Sequence, residues 1–124
     1  VAFFDAEISL ANFHVNHSKF IFTEITSEKG VITGANLGHT LLKGAKRIDN
    51  DFSIHKEAFF IVTGANMAGK STFLRTISLS IVMANCGLPV CATSFKYAPI
   101  KLITSMRTTD SLTEDESYFY SELK

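Results

Sequence analysis

Nine consecutive residues are spaced for chemistry on an anion: Gly64-Ala65-Asn66-Met67-Ala68-Gly69-Lys70-Ser71-Thr72. They fit the pattern G-x-x-x-x-G-K-[ST] without a mismatch, the signature of a loop that cradles phosphates. A triphosphate is a dense anion, and a helix N-terminus offers it unpaired N–H groups and the positive end of a dipole. The glycines let the backbone curl so that successive N–H groups face the phosphates. Lys70 would place its ammonium on the β and γ phosphates, and the Ser71 hydroxyl would complete the shell of a Mg2+ ion. Thr72 reads as helix surface or packing.

Such a loop works only when a strand delivers it and a helix receives it. Ala58-Phe59-Phe60-Ile61-Val62-Thr63 is a continuous apolar run, as expected for a strand buried on both faces. Phe73 to Met83 is long enough for a helix. Asn85-Cys86-Gly87 reads as its stop, with Gly87 at C′ and Pro89 just beyond. Strand, glycine loop and helix thus follow one another in the required order.

The whole chain sets the bounds. Its 124 residues suit one domain or less, and 46% hydrophobic residues are ample for a core. Lys and Arg together number 12, as do Asp and Glu, so no bulk electrostatic pull toward nucleic acid is present. Cys86 and Cys91 lie in or beside apolar stretches without a C-x-x-C pair and read as buried free thiols of a reducing compartment. No stretch of eighteen apolar residues is present and Val1 does not open a signal peptide, so a cytoplasmic, membrane-free location is expected. No run of four apolar residues ending in Asp or Glu follows Ser71, although phosphate-loop ATPases use such an acid to hold Mg2+ and orient water. Both ends also read as the insides of helices. The expectation is an excised piece that stops before that acidic (Walker B) strand.

Residues 1 to about 16 read as a packing helix with an apolar stripe of Phe4, Ile8, Ala11 and Val15. Phe20 to Ile25 and Val31 to Thr33 read as strands joined by a hairpin turn at Ser27-Glu28-Lys29-Gly30. Ala35 to Leu42 reads as a glycine-punctuated loop, and Phe52-Ser53-Ile54 alternates like an edge strand. Val90 to Tyr97 is expected to cross the sheet edge and Ile100 to Met106 to form a further strand. Thr108 to Glu116 is a polar loop, after which Ser117 could N-cap a helix. His14, His17, His39 and His55 lack metal-ligand spacing and read as surface or loop residues. The small basic cluster of Lys43, Lys46 and Arg47 suits phosphate contact or simple solubility equally well.

At these residues the sequence resembles a known family. Thr63 to Arg75, with Asn66-Met67 inside the loop, looks like the phosphate loop of the MutS family of DNA mismatch repair ATPases. Asp110-Ser111-Leu112, Ser117-Tyr118-Phe119 and Glu122 resemble that family's signature segment. Leu37-Gly38-His39-Thr40-Leu41-Leu42 is similar to its glycine-His-Pro stretch, and Asn50-Asp51-Phe52 to the strand entering its nucleotide site. The resemblance divides the chain into lead-in helix and strands over 1–36 and the N-terminal part of the ATPase domain over 37–124.

The resemblance implies an α/β phosphate-loop fold of the ABC-ATPase type, a mixed sheet with flanking helices. It also implies two protomers, identical or paralogous, that sandwich ATP and Mg2+. Gly64 to Thr72 would then hold the nucleotide within one protomer, with Ser71 on the metal. Ser117 would reach the γ-phosphate bound by the partner, an apt task for a helix-opening serine. Arg47 or Ile48 stands where the family packs the adenine; Arg47 suits stacking on the base or plain solvation. Double-stranded DNA would be bound through regions mostly outside this segment. Several positions depart from the family pattern: Ala65 and Thr40 each replace a proline, and Glu114, Asp115 and Glu116 stand where a glycine is common. Alternatives from other classes are an ABC-type or recombination-type ATPase outside mismatch repair, or a non-catalytic interaction domain.

Overall fold

The computed structural model describes residues 1–56, 58–65 and 69–105. In chain order the elements are α1 (Ala2–Asn16), β1 (Glu24–Ile25), β2 (Ile32–Leu37), a 3-10 turn (Gly44–Lys46), β3 (Asn50–Ile54), α2 (Lys70–Asn85) and β4 (Ser94–Tyr97). The strands form one mixed sheet in the order β1-β4-β2-β3. β1 pairs parallel to β4, while β2 pairs antiparallel to both β3 and β4. Among the described residues the result is a small α/β unit with a mixed four-stranded sheet and two helices.

The sheet order corrects the hairpin expected between residues 20–25 and 31–33. β4 lies between β1 and β2, so the turn at Ser27 to Gly30 joins strands that are not neighbours. The reason lies in β4, whose Phe95 and Tyr97 are each 2% exposed and among the largest buried side chains. A strand carrying two such rings gains most in the middle of the sheet. The expectation that Val90 to Tyr97 crosses the sheet edge is overturned by the same fact.

β2 also replaces the loop expected from Ala35, running on to Leu37. Gly34 does not break it; it serves it. Gly34 pairs with Phe52 on one side and Phe95 on the other. The two rings meet with centroids 6.3 Å apart. A Cβ on Gly34 would lie 3.0 Å from Phe52 Cε1 and 3.2 Å from Phe95 Cδ2. Beyond it the β2–β3 register shifts, Asn36 takes φ +49°, and its N–H donates to Asp51 Oδ1 at 2.7 Å. β3 is an edge strand, as its alternation predicts.

α2 supplies Ile81, Met83 and Ala84 to a core shared with Ile32, Leu37, Val90, Phe95 and Tyr97. Thr76 and Ser80 are buried on the helix, and their hydroxyls are satisfied by donating to Thr72 O and Ser80's own i−4 carbonyl, Thr76 O, both at 2.8 Å. The helix ends as expected. Gly87 takes φ +72° and donates to Ala84 O at 3.0 Å, while Leu88 N–H reaches Met83 O at 2.9 Å. This is a Schellman motif, with Pro89 beyond it.

Other expectations fail. α1 forms, but Phe4, Ile8 and Val15 are 69%, 62% and 71% exposed. Its contacts lie instead at its C-terminal end, where the chain reverses and Phe13 stacks on His17 at 4.3 Å and meets Phe20 edge-on. Ile100 to Ser105 forms no strand; Ile100 and Leu102 pack against the core as irregular chain. The apolar run before the loop is not a strand either. Phe59, Phe60, Ile61 and Val62 are 89%, 56%, 74% and 39% exposed. A strand buried on both faces needs partners on both edges, and no described strand pairs with this one. Cys91 is buried but Cys86 is exposed, so only one of the two thiols is where burial was expected. No helix among the described residues is long and apolar enough to cross a membrane.

Candidate functional site

The glycine-lysine loop is anchored at the first residue of α2. Gly69 is the N-cap, in the left-handed region at φ +84°, with open space where a Cβ would stand. Only glycine turns this corner without strain. The first helical bond runs from Phe73 N–H to Gly69 O at 2.9 Å. By helix geometry the earlier N–H groups of this turn have no acceptor within the helix. They gather at the N-terminus with the positive end of the α2 dipole.

Lys70 folds back over the loop. Its Nζ donates to Gly64 O at 2.7 Å and to Ala65 O at 2.6 Å. A cation therefore sits in the mouth of the loop, beside the N-terminus of a sixteen-residue helix. Ser71 and Thr72 are exposed. These donors suit a polyphosphate with a divalent cation: an ammonium, a glycine-turned helix start and an exposed serine. Asn66, Met67 and Ala68, and the signature residues including Ser117, lie outside the described residues.

Arg47 has a separate setting. It follows the 3-10 turn and makes a two-pronged pair with Asp49, Nε to Oδ1 at 2.8 Å and Nη2 to Oδ2 at 3.1 Å. The hydrogen bond to Asp49 is the first reason its guanidinium is held above its ordinary pKa. The pair lies across Gly38, where a Cβ would collide with Asp49 Oδ1 and come within 2.8 Å of Arg47 Cδ and Nε. Gly38 N–H in turn donates to Cys91 O at 2.8 Å. Burial pushes the Cys91 thiol up in pKa, against the pull of the nearby Arg47.

Arg47, Asp49, Lys19, Asn36 and Cys91 line a hollow of about 420 Å3, and no described loop residue lines it. Ile48, 77% exposed, projects away from the core. The structure thus joins Lys70, beside Gly69 and Ser71 at the start of α2, to Gly64 and Ala65, and sets Arg47 in a hollow that no described loop residue lines. Asp49 as the partner of Arg47 escaped the sequence reading, although the i, i+2 spacing of Arg47 and Asp49 was its signal. Thr40, where a proline was expected, is buried and its hydroxyl contacts Met83 Sδ at 3.4 Å. That ties the Gly38-His39 stretch to α2. His39 itself, with Arg75 and Leu79 of α2, lines a second hollow of about 340 Å3.

Comparison with known proteins decides the family. The model described as MutS domain V matches residues 60–124, just over half of the chain. The chain belongs to the MutS family. Relatives of this MutS-family segment include the DNA mismatch repair protein MutS of Leptospira interrogans, 40% identical over 88 residues, covering 68% of this chain and 10% of that protein. MutS of Methanococcoides burtonii is 31% identical over 124 residues, covering 96% of this chain and 14% of the relative. The DNA mismatch repair protein MSH6 of Arabidopsis thaliana is 33% identical over 101 residues, covering 74% of this chain and 8% of that protein. The MutS-family chain described here therefore spans about a tenth of the length of the curated relatives it matches.

Proposed function

We propose that this chain is the ATP-binding part of a MutS-like mismatch repair ATPase, with an ABC-type phosphate-loop fold completed by other parts of the protein. One observation carries the reading. The ammonium of Lys70 stands in the mouth of the loop, on the carbonyls of Gly64 and Ala65, at the N-terminus of α2. Residues 37–124 form the first part of the ATPase domain on this reading, and residues 1–36 lead into it.

ATP with Mg2+ brings a polyanion whose charge is partly screened by the metal. Gly64, Ala65 and Gly69 would turn the backbone around it, and by the sequence pattern Asn66 to Ala68 belong to the same loop. Lys70 offers a point charge to the β and γ oxygens, and the Ser71 hydroxyl offers a metal ligand. Arg47 or Ile48 would meet the base and Ser117 the nucleotide of a second protomer, identical or paralogous. Closure of that pair would couple nucleotide binding to double-stranded DNA held elsewhere in the protein. The names of the relatives, all mismatch repair proteins, support the DNA partner.

The test is nucleotide binding by the full-length protein, with and without Lys70→Ala. A loss of affinity of roughly 10- to 100-fold is expected for one charge-assisted contact set. Unchanged affinity would remove Lys70 from the nucleotide site and with it this reading.

A further inference from the structure

The β2–β3 ladder ends at Ile32 opposite Ile54. One pair further on, the same register sets Gly30 opposite Lys56, and there both backbones turn left-handed, at φ +72° and +59°. The two chains nearly touch: a Cβ on Gly30 would lie 2.9 Å from Lys56 Cα and 3.2 Å from Lys56 C and O. The chain bends at Lys56, and Ala58 N–H donates back to Lys56 O at 2.9 Å. Residues 58–65 then lead to the glycine-lysine loop outside the sheet.

For an L-residue the left-handed region crowds Cβ against the carbonyl, and lysine has no short polar side chain to offset that cost. Asn36, the other such residue among those described, is of a type that tolerates the region, and Asp51 and Thr93 hold it there. Lys56 makes no side-chain hydrogen bond or ion pair among the described residues. Its conformation is held by backbone alone, through the close approach of Gly30 and the bond from Ala58.

We propose that Gly30 and Lys56 are a paired hinge: Lys56 is the pivot that turns residues 58–65 out of line with β3, and Gly30 keeps it bent.

A backbone held in a sparsely populated region persists only where its surroundings over-determine it. One residue at the end of an element is enough to absorb a large change of direction. When Lys56 relaxes to the extended region, β3 runs on in line and residues 58–65 swing with it, carrying the loop. That movement needs Gly30 to give way, because nothing larger than its hydrogen fits between the two backbones. The turn before β2 and the approach to the loop therefore move together. Neither element needs a side chain to transmit the motion. The hinge stands on backbone geometry; its consequence for a bound nucleotide rests on the reading above.

The experiment is a spin-label distance measurement on the nucleotide-free full-length protein. Labels are carried by Ser53→Cys on β3 and Ile61→Cys on the run, both exposed positions, with other reactive thiols removed. In the bent form the labelled backbone positions stand closer than the ~26 Å that eight residues span as continuous strand. Lys56→Asn keeps a residue that tolerates the left-handed region and should retain the wild-type distance. Lys56→Val, β-branched, opposes that region and should move most of the population to the longer distance. Lys56→Gly accepts either hand and should show both distances. Gly30→Ala sets a methyl group against Lys56 Cα and should lengthen the distance as Lys56→Val does. Melting temperature serves as the folding control for each variant. One distance shared by wild type, Lys56→Val and Lys56→Gly would overturn the hinge. So would equal shifts in Lys56→Asn and Lys56→Val, since the loss of the lysine side chain would then explain both. An unchanged distance in folded Gly30→Ala would overturn the pairing. Because no nucleotide is present, each of these failures is distinct from a failure of nucleotide binding.

Discussion

The phenol of Tyr97 donates to Asn85 Oδ1 at 2.9 Å, joining the central strand of the sheet to the last residue of α2. Asn85 passes the connection on, its Nδ2 donating to Ile100 O at 3.2 Å. One side chain thus fastens the helix end, β4 and the irregular chain after it. Removing the hydroxyl with Tyr97→Phe should cost about 1 kcal/mol, because the exposed Asn85 regains water as a partner. Thermal or denaturant unfolding of the described unit would show it.

The same phenol sets an alkaline limit. Burial is the first cause that holds the Tyr97 pKa above its ordinary value. A group whose pKa is raised on folding contributes stability that is whole below its unfolded pKa, here about 10. That contribution is lost as pH rises through the folded value. Stability should therefore fall above about pH 10 in the wild type and fall less in Tyr97→Phe, as read by melting temperature across an alkaline series.

Gly34 and Gly38 should respond differently to the same change. Gly34→Ala pushes a methyl group against the packed rings of Phe52 and Phe95 and should cost about 1–3 kcal/mol. Gly38→Ala meets first the Asp49 carboxylate and Arg47 Cδ and Nε, on side chains about one-third exposed that can swing aside. Its cost should stay below about 1 kcal/mol, with the Arg47–Asp49 fork broken. Equal losses in denaturation midpoint would contradict the packing described for β2.

Ser71→Ala separates metal from phosphate. If the hydroxyl completes the Mg2+ shell, the variant should lose most of the gain in nucleotide affinity that Mg2+ gives, while metal-free binding stays within about twofold. Titration of the full-length protein with and without Mg2+ reads both quantities.

What the sequence made legible is local. The glycine pattern from Gly64 to Ser71, the helix after it and its arrest at Gly87 depend on φ, capping and short spacings. Those causes act within a few residues and leave their mark in the order of residue types. The strand order does not. β4 enters the middle of the sheet because Phe95 and Tyr97 fit there, a preference decided by partners sixty residues away on β2. Gly34 misled for the same reason: as a residue in sequence it signals a loop, but between two phenylalanines it signals close approach. On α1 the apolar stripe of Phe4, Ile8 and Val15 stays exposed, and the contact comes at the C-terminal end, where the reversal at His17 brings Phe13 and His17 to Phe20. At the site, Asp49 was within reach of a simple spacing argument, whereas the grip of Lys70 on Gly64 and Ala65 requires the fold of the loop.

The exposed run from Phe59 to Val62 bears on how this segment behaves in a test tube. Four β-prone side chains without charge or proline, paired with no described strand, form a template onto which a second molecule can add a strand. Expressed by itself, the segment should grow less soluble as its concentration rises, and a lysine in place of Ile61 should delay precipitation. In a larger protein, strands laid on both edges of that run would remove the hazard and turn a sticky ribbon into the floor beneath the loop.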